Sequence, residues 1–299
     1  MQIMRKLIIT AALLLVAAGS FAMRCDTDTV RRGPLFDKFQ LRQSFQDATA
    51  KESPAQLMLT IPSSGGSSWL VDAGVAARVV PLSGVNSVSN LVGEFHRNTL
   101  ISNPQYNWQL GFNYAYLHTK PDGQFALSWT ANAKYVRDVI DTAHSVATTL
   151  SIGFYRTGKD YLNFGRPRSF DNQKMTYQID PSVQVQYQQY FGNDLHTGGI
   201  VRPLVSLAAS LAWNSARTKG LAASKKFELA ASYTNRYAAA NNTGNGERYT
   251  KLLSTGINYY FINSASSTVS VGASYNLGSD PLNGLKDQNF LQFAFQVQI

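Results

Sequence analysis

The sequence predicts an all-β chain that closes into a transmembrane, antiparallel, up-and-down β-barrel of about twelve strands. Two observations lead to this fold class. Apolar and polar residues alternate with a period of two along one segment after another, and turn-forming residues separate these segments. The segments also reach the roughly 9–11 residues that a tilted strand needs to cross a bilayer.

The final stretch, FLQFAFQVQI at residues 290–299, shows the alternation clearly. Successive side chains of a strand point to opposite faces. One face of this strand is therefore apolar, and the other carries amides and one alanine. The apolar positions are Leu291, Phe293, Phe295, Val297 and Ile299.

The same pattern recurs upstream and sets the strand count. Single-chain bacterial barrels carry even numbers of strands, so we predict twelve strands, with fourteen as the alternative. Residues 38–45 would form a thirteenth alternating piece. The predicted strands lie at about 54–62, 67–80, 89–98, 106–116, 124–135, 144–156, 175–187, 199–214, 225–237, 248–262, 269–276 and 290–299.

The two faces of these strands indicate an inverted arrangement, with apolar side chains outside. The polar face consists of Gln, Asn, Ser, Thr, Gly and Ala, with few of the Lys and Glu residues of a water-exposed sheet. In hydrocarbon every backbone amide needs a partner, so such a sheet must close on itself. Aromatic residues on the apolar face crowd towards strand ends, as in interfacial girdles: Tyr106, Trp108, Tyr114, Tyr116, Trp213, Tyr259 and Phe261.

The N-terminus has the features of a cleaved export signal over residues 1–22. Arg5 and Lys6 precede an apolar core, and Ser20-Phe21-Ala22 resembles a cleavage site. Residues 23–53 are predicted to be a periplasmic segment, either an extra strand or a plug of the lumen, and residues 54–299 the barrel. No later run reaches the 18 apolar residues of a spanning helix.

Charge and cysteine content restrict the class further. Removing residues 1–22 leaves 25 basic and 18 acidic residues, a net charge of +7. The single Cys25 excludes an intramolecular disulfide, and Arg24 before it does not fit a lipidation site. The excess basic residues lie mainly in connections, where they would meet lipid phosphates: Arg217, Lys219, Lys225 and Lys226.

The signal, the repeated amphipathic strands and the final strand together resemble the bacterial outer-membrane β-barrel class over about residues 55–299. This resemblance implies an outer-membrane location, with lipid and lipopolysaccharide as partners. It also implies that barrel-assembly machinery recognises strand 290–299, although Ile299 stands where that signal usually has Phe. Nucleic-acid binding is not expected of an exported chain.

Alternation also predicts which charged residues face the lumen. The set contains four cationic and four anionic residues, so it predicts no ion preference. Two interpretations remain open: the charges pair across the barrel and hold a half-filled interior, or they form a constriction or a ladder for solutes. The inward residues are Arg78, Lys134, Arg202, Arg236, Asp72, Glu94, Asp180 and Glu228, with His96 nearby.

The longest connection, residues 157–173, carries Lys159, Arg166 and Arg168. Folded inward, it would narrow the pore and favour anions. Outside, it would contact phosphates or a partner, or remain a solvated loop. Counting back from a periplasmic C-terminus places both 157–173 and 215–224 on the periplasmic side, where short turns are the rule.

Catalytic patterns are weak in this sequence. His144 and Ser145 are adjacent, so in a strand they point to opposite faces, and His196 with Asp194 lies in a glycine-rich connection. No histidine or cysteine cluster has zinc spacing, and no glycine-rich phosphate loop occurs. We therefore predict no catalytic residue, no cofactor and no metal.

Two functions fit these observations. The first is a porin-like channel through which small polar or charged solutes diffuse, with anion contact at Arg78, Lys134, Arg202 and Arg236. The second is a closed structural or surface-binding barrel whose loops contact lipopolysaccharide or a partner. Twelve strands lie between the filled eight-stranded barrel and the open sixteen-stranded one, so strand number permits both.

Overall fold

The structure is a computed structural model. It describes residues 36–45, 55–60, 68–99, 101–119, 125–156, 164–170, 174–191, 197–215, 225–244, 246–263 and 268–298. These ranges contain fifteen β-strands and no α-helix. Among them no helix is long and apolar enough to cross a membrane.

Twelve of the strands form a closed antiparallel barrel, which confirms the predicted barrel architecture and strand number. Each barrel strand pairs with its neighbour along the chain, and the last pairs with the first, with Phe295 opposite Leu57. The barrel strands are β2 (Ala55–Thr60), β3 (Ser68–Val79), β4 (Ser87–Asn98), β5 (Gln105–Thr119), β6 (Phe125–Asp138), β7 (His144–Arg156), β9 (Met175–Phe191), β10 (Gly198–Asn214), β11 (Lys225–Tyr237), β13 (Tyr249–Asn263), β14 (Thr268–Asp280) and β15 (Leu285–Gln298).

Three short strands extend the wall. They are β1 (Phe36–Arg42), β8 (Arg168–Phe170) and β12 (Ala240–Asn241). β1 pairs with residues 74–79 of β3, whereas β2 pairs with residues 68–72 of the same strand. β1 and β2 therefore lie one after the other along the same edge of β3. β8 pairs with β9, and β12 with β10, in the same manner.

The final hairpin differs in detail from its prediction. A turn was expected at Gly278–Pro281, but β14 continues to Asp280 and β15 already begins at Leu285. Gly278 is accommodated in the strand at a register shift, with a φ of 117°. The chain turns instead at Gly284, which has a φ of 69° in the left-handed region that glycine tolerates.

Burial confirms the inverted arrangement of side chains. On β9, Gln184, Gln186 and Gln188 are at most 4% exposed, whereas Val185 between them is 50% exposed. On β15, Gln292 and Gln296 are buried while Leu291, Phe293 and Phe295 are exposed. The interior of the barrel is thus polar and its outer surface apolar, the reverse of a water-soluble sandwich.

The barrel has two mouths. Connections after β3, β5, β7, β10 and β13 lie at the mouth where β15 ends, here called the C-terminal mouth. Connections after β2, β4, β6, β9, β11 and β14 lie at the opposite mouth. The long connections 157–173 and 215–224 follow β7 and β10, so both belong to the C-terminal mouth, as counting along the sequence predicted.

Candidate functional site in the barrel lumen

Four titratable side chains form one largely buried network inside the lumen. Lys134 Nζ lies 2.6 Å from Glu94 Oε1, and His96 Nε2 lies 3.3 Å from Glu94 Oε2. The other ring nitrogen of His96 contacts Asp72, its cross-strand neighbour on β3. Glu94, His96 and Lys134 are at most 4% exposed. The predicted inward residues of β3, β4 and β6 therefore meet as a single cluster.

A glycine allows Lys134 to reach this network. β5 lies between β4 and β6, and Gly111 is the β5 residue paired with Lys134. A Cβ at Gly111 would lie 2.8 Å from Lys134 Cγ and 2.2 Å from the Ala133 carbonyl oxygen. The missing side chain leaves room for the Lys134 aliphatic stem to run across β5 towards Glu94.

Arg202 is held by a carboxylate that the sequence analysis missed. Its Nε and Nη2 atoms donate to the two carboxylate oxygens of Glu247 at 2.6 and 2.7 Å, and Nη1 donates to Gln188 Oε1 at 2.8 Å. Arg202 is fully buried. Glu247 lies in the connection before β13, where the strand pattern provides no signal for an inward residue.

Arg236 also has an unforeseen partner. Its Nη2 lies 3.0 Å from Asp280 Oδ1, and Nη1 donates to the Ser279 carbonyl at 3.3 Å. Asp280 lies beyond the predicted strand 269–276, and the extended β14 carries it to the opposite mouth of the lumen. Asn283 donates to the second carboxylate oxygen of Asp280 at 3.0 Å.

The remaining predicted lumen residues are distributed along the barrel. Glu228 accepts from the Tyr260 hydroxyl at 2.5 Å and from Lys225 at 3.1 Å near the C-terminal mouth. Asp180 is buried in the middle of β9 and accepts from Gln178. Arg78 is half-buried near the end of β3. The ion pairs favour the interpretation in which inward charges hold part of the interior.

A short turn folds into the opposite mouth. The inward turn, Pro281–Asn283, joins β14 to β15 and reaches β6, which lies across the barrel. Leu282 is 3% exposed and packs against Val136. Gln109 Nε2 donates to the Leu282 carbonyl and to Asn283 Oδ1, both at 3.0 Å. The turn therefore fills part of this mouth from one wall to the other.

A cavity of about 580 Å³ remains along β10, β11 and β13–β15. Its lining reaches Asp280 and Asn283 at the opposite mouth and Lys225 and Tyr260 at the C-terminal mouth. The lumen is thus filled around Glu94 and Lys134 and open along the other wall, and a second cavity of about 420 Å³ lies at the opposite mouth beside Val136, Ser145 and Gln188. Small and amide side chains line the open wall, among them Ser206, Ala230, Ser232, Ser254, Ser274 and Gln292.

The predicted constriction loop lies partly outside the described residues, and Lys159 is among the residues that are not described. In the described part, Phe164 forms a backbone bridge to Arg156, and β8 pairs with β9 as a continuation of the wall. Arg166 is exposed, and Arg168 is half-buried on β8. A narrowing of the pore by this loop stays a prediction.

His144 and Ser145, which were considered for catalysis, point to different faces of β7. Ser145 faces the lumen, where it accepts a hydrogen bond from Gln188 at 2.9 Å, while the ring of His144 lies against Tyr135 with centroids 5.9 Å apart. His196 and Asp194 lie outside the described residues. Within the described part of the chain, no group of three or more acidic, histidine or cysteine side chains could hold a metal ion.

Fold and lumen together define the class of protein: a closed, twelve-stranded, antiparallel β-barrel with a charged and amide-lined interior. No protein-family model matches the sequence. Comparison with curated proteins also yields no match.

Proposed function

We propose that this protein is a bacterial outer-membrane β-barrel whose lumen lets small polar or charged solutes diffuse through a narrow passage. The observation that carries the proposal is the pairing of an apolar outer surface with a polar cavity lined by residues from both mouths. Closure of the sheet pairs its backbone groups with one another, as hydrocarbon requires. A bilayer would then cover its apolar outer face.

The apolar surface supports membrane insertion. Among the side chains that the structure describes, exposed apolar residues occur on eleven barrel strands, whereas water-soluble monomers rarely expose apolar patches beyond a few hundred Å². Acyl chains would cover this belt. One representative from each strand, β3 to β15, is Val75, Leu91, Leu110, Trp129, Leu150, Val185, Val205, Leu229, Ile257, Val271 and Phe293.

Aromatic pairs near both mouths support the same conclusion. Trp108 packs against Tyr135 towards the opposite mouth, with ring centroids 5.5 Å apart, and Trp213 packs against Phe227 towards the C-terminal mouth at the same distance. Tryptophan and tyrosine favour the lipid headgroup region. We further propose that strand 290–299 is recognised by barrel-assembly machinery, because its outer face presents Leu291, Phe293 and Phe295.

The open wall supports passage of solutes. Serine and amide side chains present hydrogen-bonding groups to water, alanine and glycine leave room for it, and the cavity borders Arg236, Lys225 and Glu228. Hydrated solutes would pass along β10–β15. The ion pairs on the other side keep the passage narrow, so large solutes are excluded.

Conductance measurements with a matched pair of variants test this proposal. Ala230 lines the cavity on β11, whereas Ala209 on the neighbouring β10 is exposed on the outer face and does not line it. In planar lipid bilayers the wild-type protein should give discrete conductance steps. Ala230→Phe should lower the step size, whereas Ala209→Phe should leave it unchanged. Absence of steps from correctly folded protein would rule out the channel.

A closed structural or surface-binding barrel is the second candidate. It is favoured by the buried network around Glu94 and by the inward turn, both of which occupy space in the lumen. Lack of conductance combined with binding to lipopolysaccharide that depends on the loops would select this function. An activity assay with lipid and ester substrates on folded protein would test a hydrolase.

A further inference from the structure

After the end of β1 the chain enters the lumen. Residues Gln43, Ser44 and Phe45, here called the hook, follow Arg42 at the end of β1. Phe45 is 1% exposed. Gln43 and Ser44 form part of the lining of the open cavity. The hook therefore lies between the filled side of the lumen and the passage.

Polar groups of the lumen wall hold the hook by its backbone and side chains. The Phe45 amide donates to Glu94 Oε1 at 2.7 Å, and Asn113 Nδ2 donates to the Phe45 carbonyl at 3.3 Å. Ser44 Oγ donates to the Glu94 carboxylate at 3.3–3.4 Å, and Gln43 donates to Asp72. Two strands of the wall, β4 and β5, thus bind the Phe45 backbone, and β3 binds the Gln43 side chain.

An apolar notch in the polar wall receives the Phe45 ring. Phe45 packs with Ala76 and Val92, both at most 2% exposed, at inward positions of β3 and β4. A Cβ at Gly74 would lie 3.0 Å from the Phe45 ring. The residues that surround the Phe45 ring are therefore small or apolar, although the inner face of the wall is otherwise mainly polar.

We propose that the hook is an intramolecular plug, docked reversibly in this notch, and that its release widens the passage. Docking uses the same Glu94 that binds Lys134 and His96, so the buried charge network positions the carboxylate that holds the plug. The effect on conductance rests on the proposed channel function, whereas docking itself does not. Both can be measured separately.

Thiol labelling measures docking without any conductance. In a Cys25→Ser background, Val92→Cys places a thiol beneath the Phe45 ring with little change in volume. A small charged thiosulfonate reagent should modify it slowly in folded protein. Adding Phe45→Gly should raise the rate about tenfold or more, which corresponds to about 1.4 kcal/mol in the docking equilibrium. Ser232→Cys, on the open wall, should react equally fast with and without Phe45→Gly.

Three results of this experiment have defined meanings. A slow Val92→Cys reaction that Phe45→Gly accelerates supports the plug. Equal rates for Val92→Cys and Ser232→Cys with Phe45 present would overturn it, because the notch would then be open. A Val92→Cys thiol that stays protected after Phe45→Gly would also overturn it, since the hook would not control access.

Conductance measurements provide the second test of the plug. Phe45→Gly and Gly74→Val should both increase the step size in bilayers, the first by removing the ring and the second by occupying its notch. Ala209→Val, which adds similar volume on the outer face, should not. If labelling shows that the hook is released but no variant conducts, the channel function is refuted and the docked plug is supported. If channels conduct but Gly74→Val and Phe45→Gly leave the steps unchanged, the plug is not a gate.

Discussion

Lys134 and Glu94 form an ion pair of 2.6 Å across β5, and both side chains are buried inside the barrel. Glu94 also contacts His96 and the backbone amide of Phe45, so one carboxylate joins β4, β6 and the hook. Removing the ammonium group would leave this carboxylate without its closest cation in a site that water does not reach. The stability of the barrel should therefore depend on the pair.

Lys134→Met is expected to lower the free energy of unfolding by about 3–5 kcal/mol, the usual cost of breaking a buried ion pair from one side. Urea titrations of protein folded in lipid vesicles, followed by tryptophan fluorescence, measure this loss. Lys226→Met, at an exposed position of β11, is the matched control and should change little. The double variant Lys134→Met/Glu94→Gln should recover part of the loss.

Arg202→Lys should destabilise the barrel although it keeps the charge. The guanidinium of Arg202 binds both oxygens of Glu247 and the side chain of Gln188, and a lysine cannot reproduce this planar geometry. A loss of about 1–3 kcal/mol follows from unsatisfied buried groups, measured by the same urea titration. Arg248→Lys, at an exposed position, should be neutral. Equal stability of both variants would refute a role for the bidentate geometry.

Leu282→Ala should loosen the inward turn. Leu282 is buried against Val136 and Ala147, so truncation is expected to cost about 2–5 kcal/mol through lost contacts and a cavity. Leu82 occupies a similar Pro-Leu turn after β3 but is 58% exposed. Leu82→Ala should therefore cost far less in the same unfolding experiment. Similar losses for the two variants would show that the turn is not anchored in the mouth.

Leu110→Arg tests whether the apolar outer surface of the barrel faces lipid. Leu110 is 62% exposed in the middle of β5, and an arginine near the bilayer midplane costs about 2–4 kcal/mol on the lipid face of a barrel. Folding into vesicles should weaken by this amount, whereas Leu82→Arg in a connection should fold normally. An increase in solubility without detergent, with no loss of folding, would show that the outer surface faces water.

The sequence predicted the barrel well because its strongest signal is local. Alternation at Gln184, Val185 and Gln186 follows from the two-residue period of a single strand and needs no knowledge of its neighbours. For the same reason Glu94, Lys134 and Arg202 were placed inside correctly. The partners Glu247 and Asp280 were missed, because they lie in connections or strand extensions that carry no period.

What the sequence determined by itself is the number of barrel strands and the face to which each strand residue points, since both depend on neighbouring positions along the chain. Only the tertiary structure decided the register, the pairing of buried charges, the inward turn and the insertion of Phe45 beside Glu94. These depend on contacts between residues far apart in sequence, and their geometry exists only after the sheet has closed and its strands have staggered.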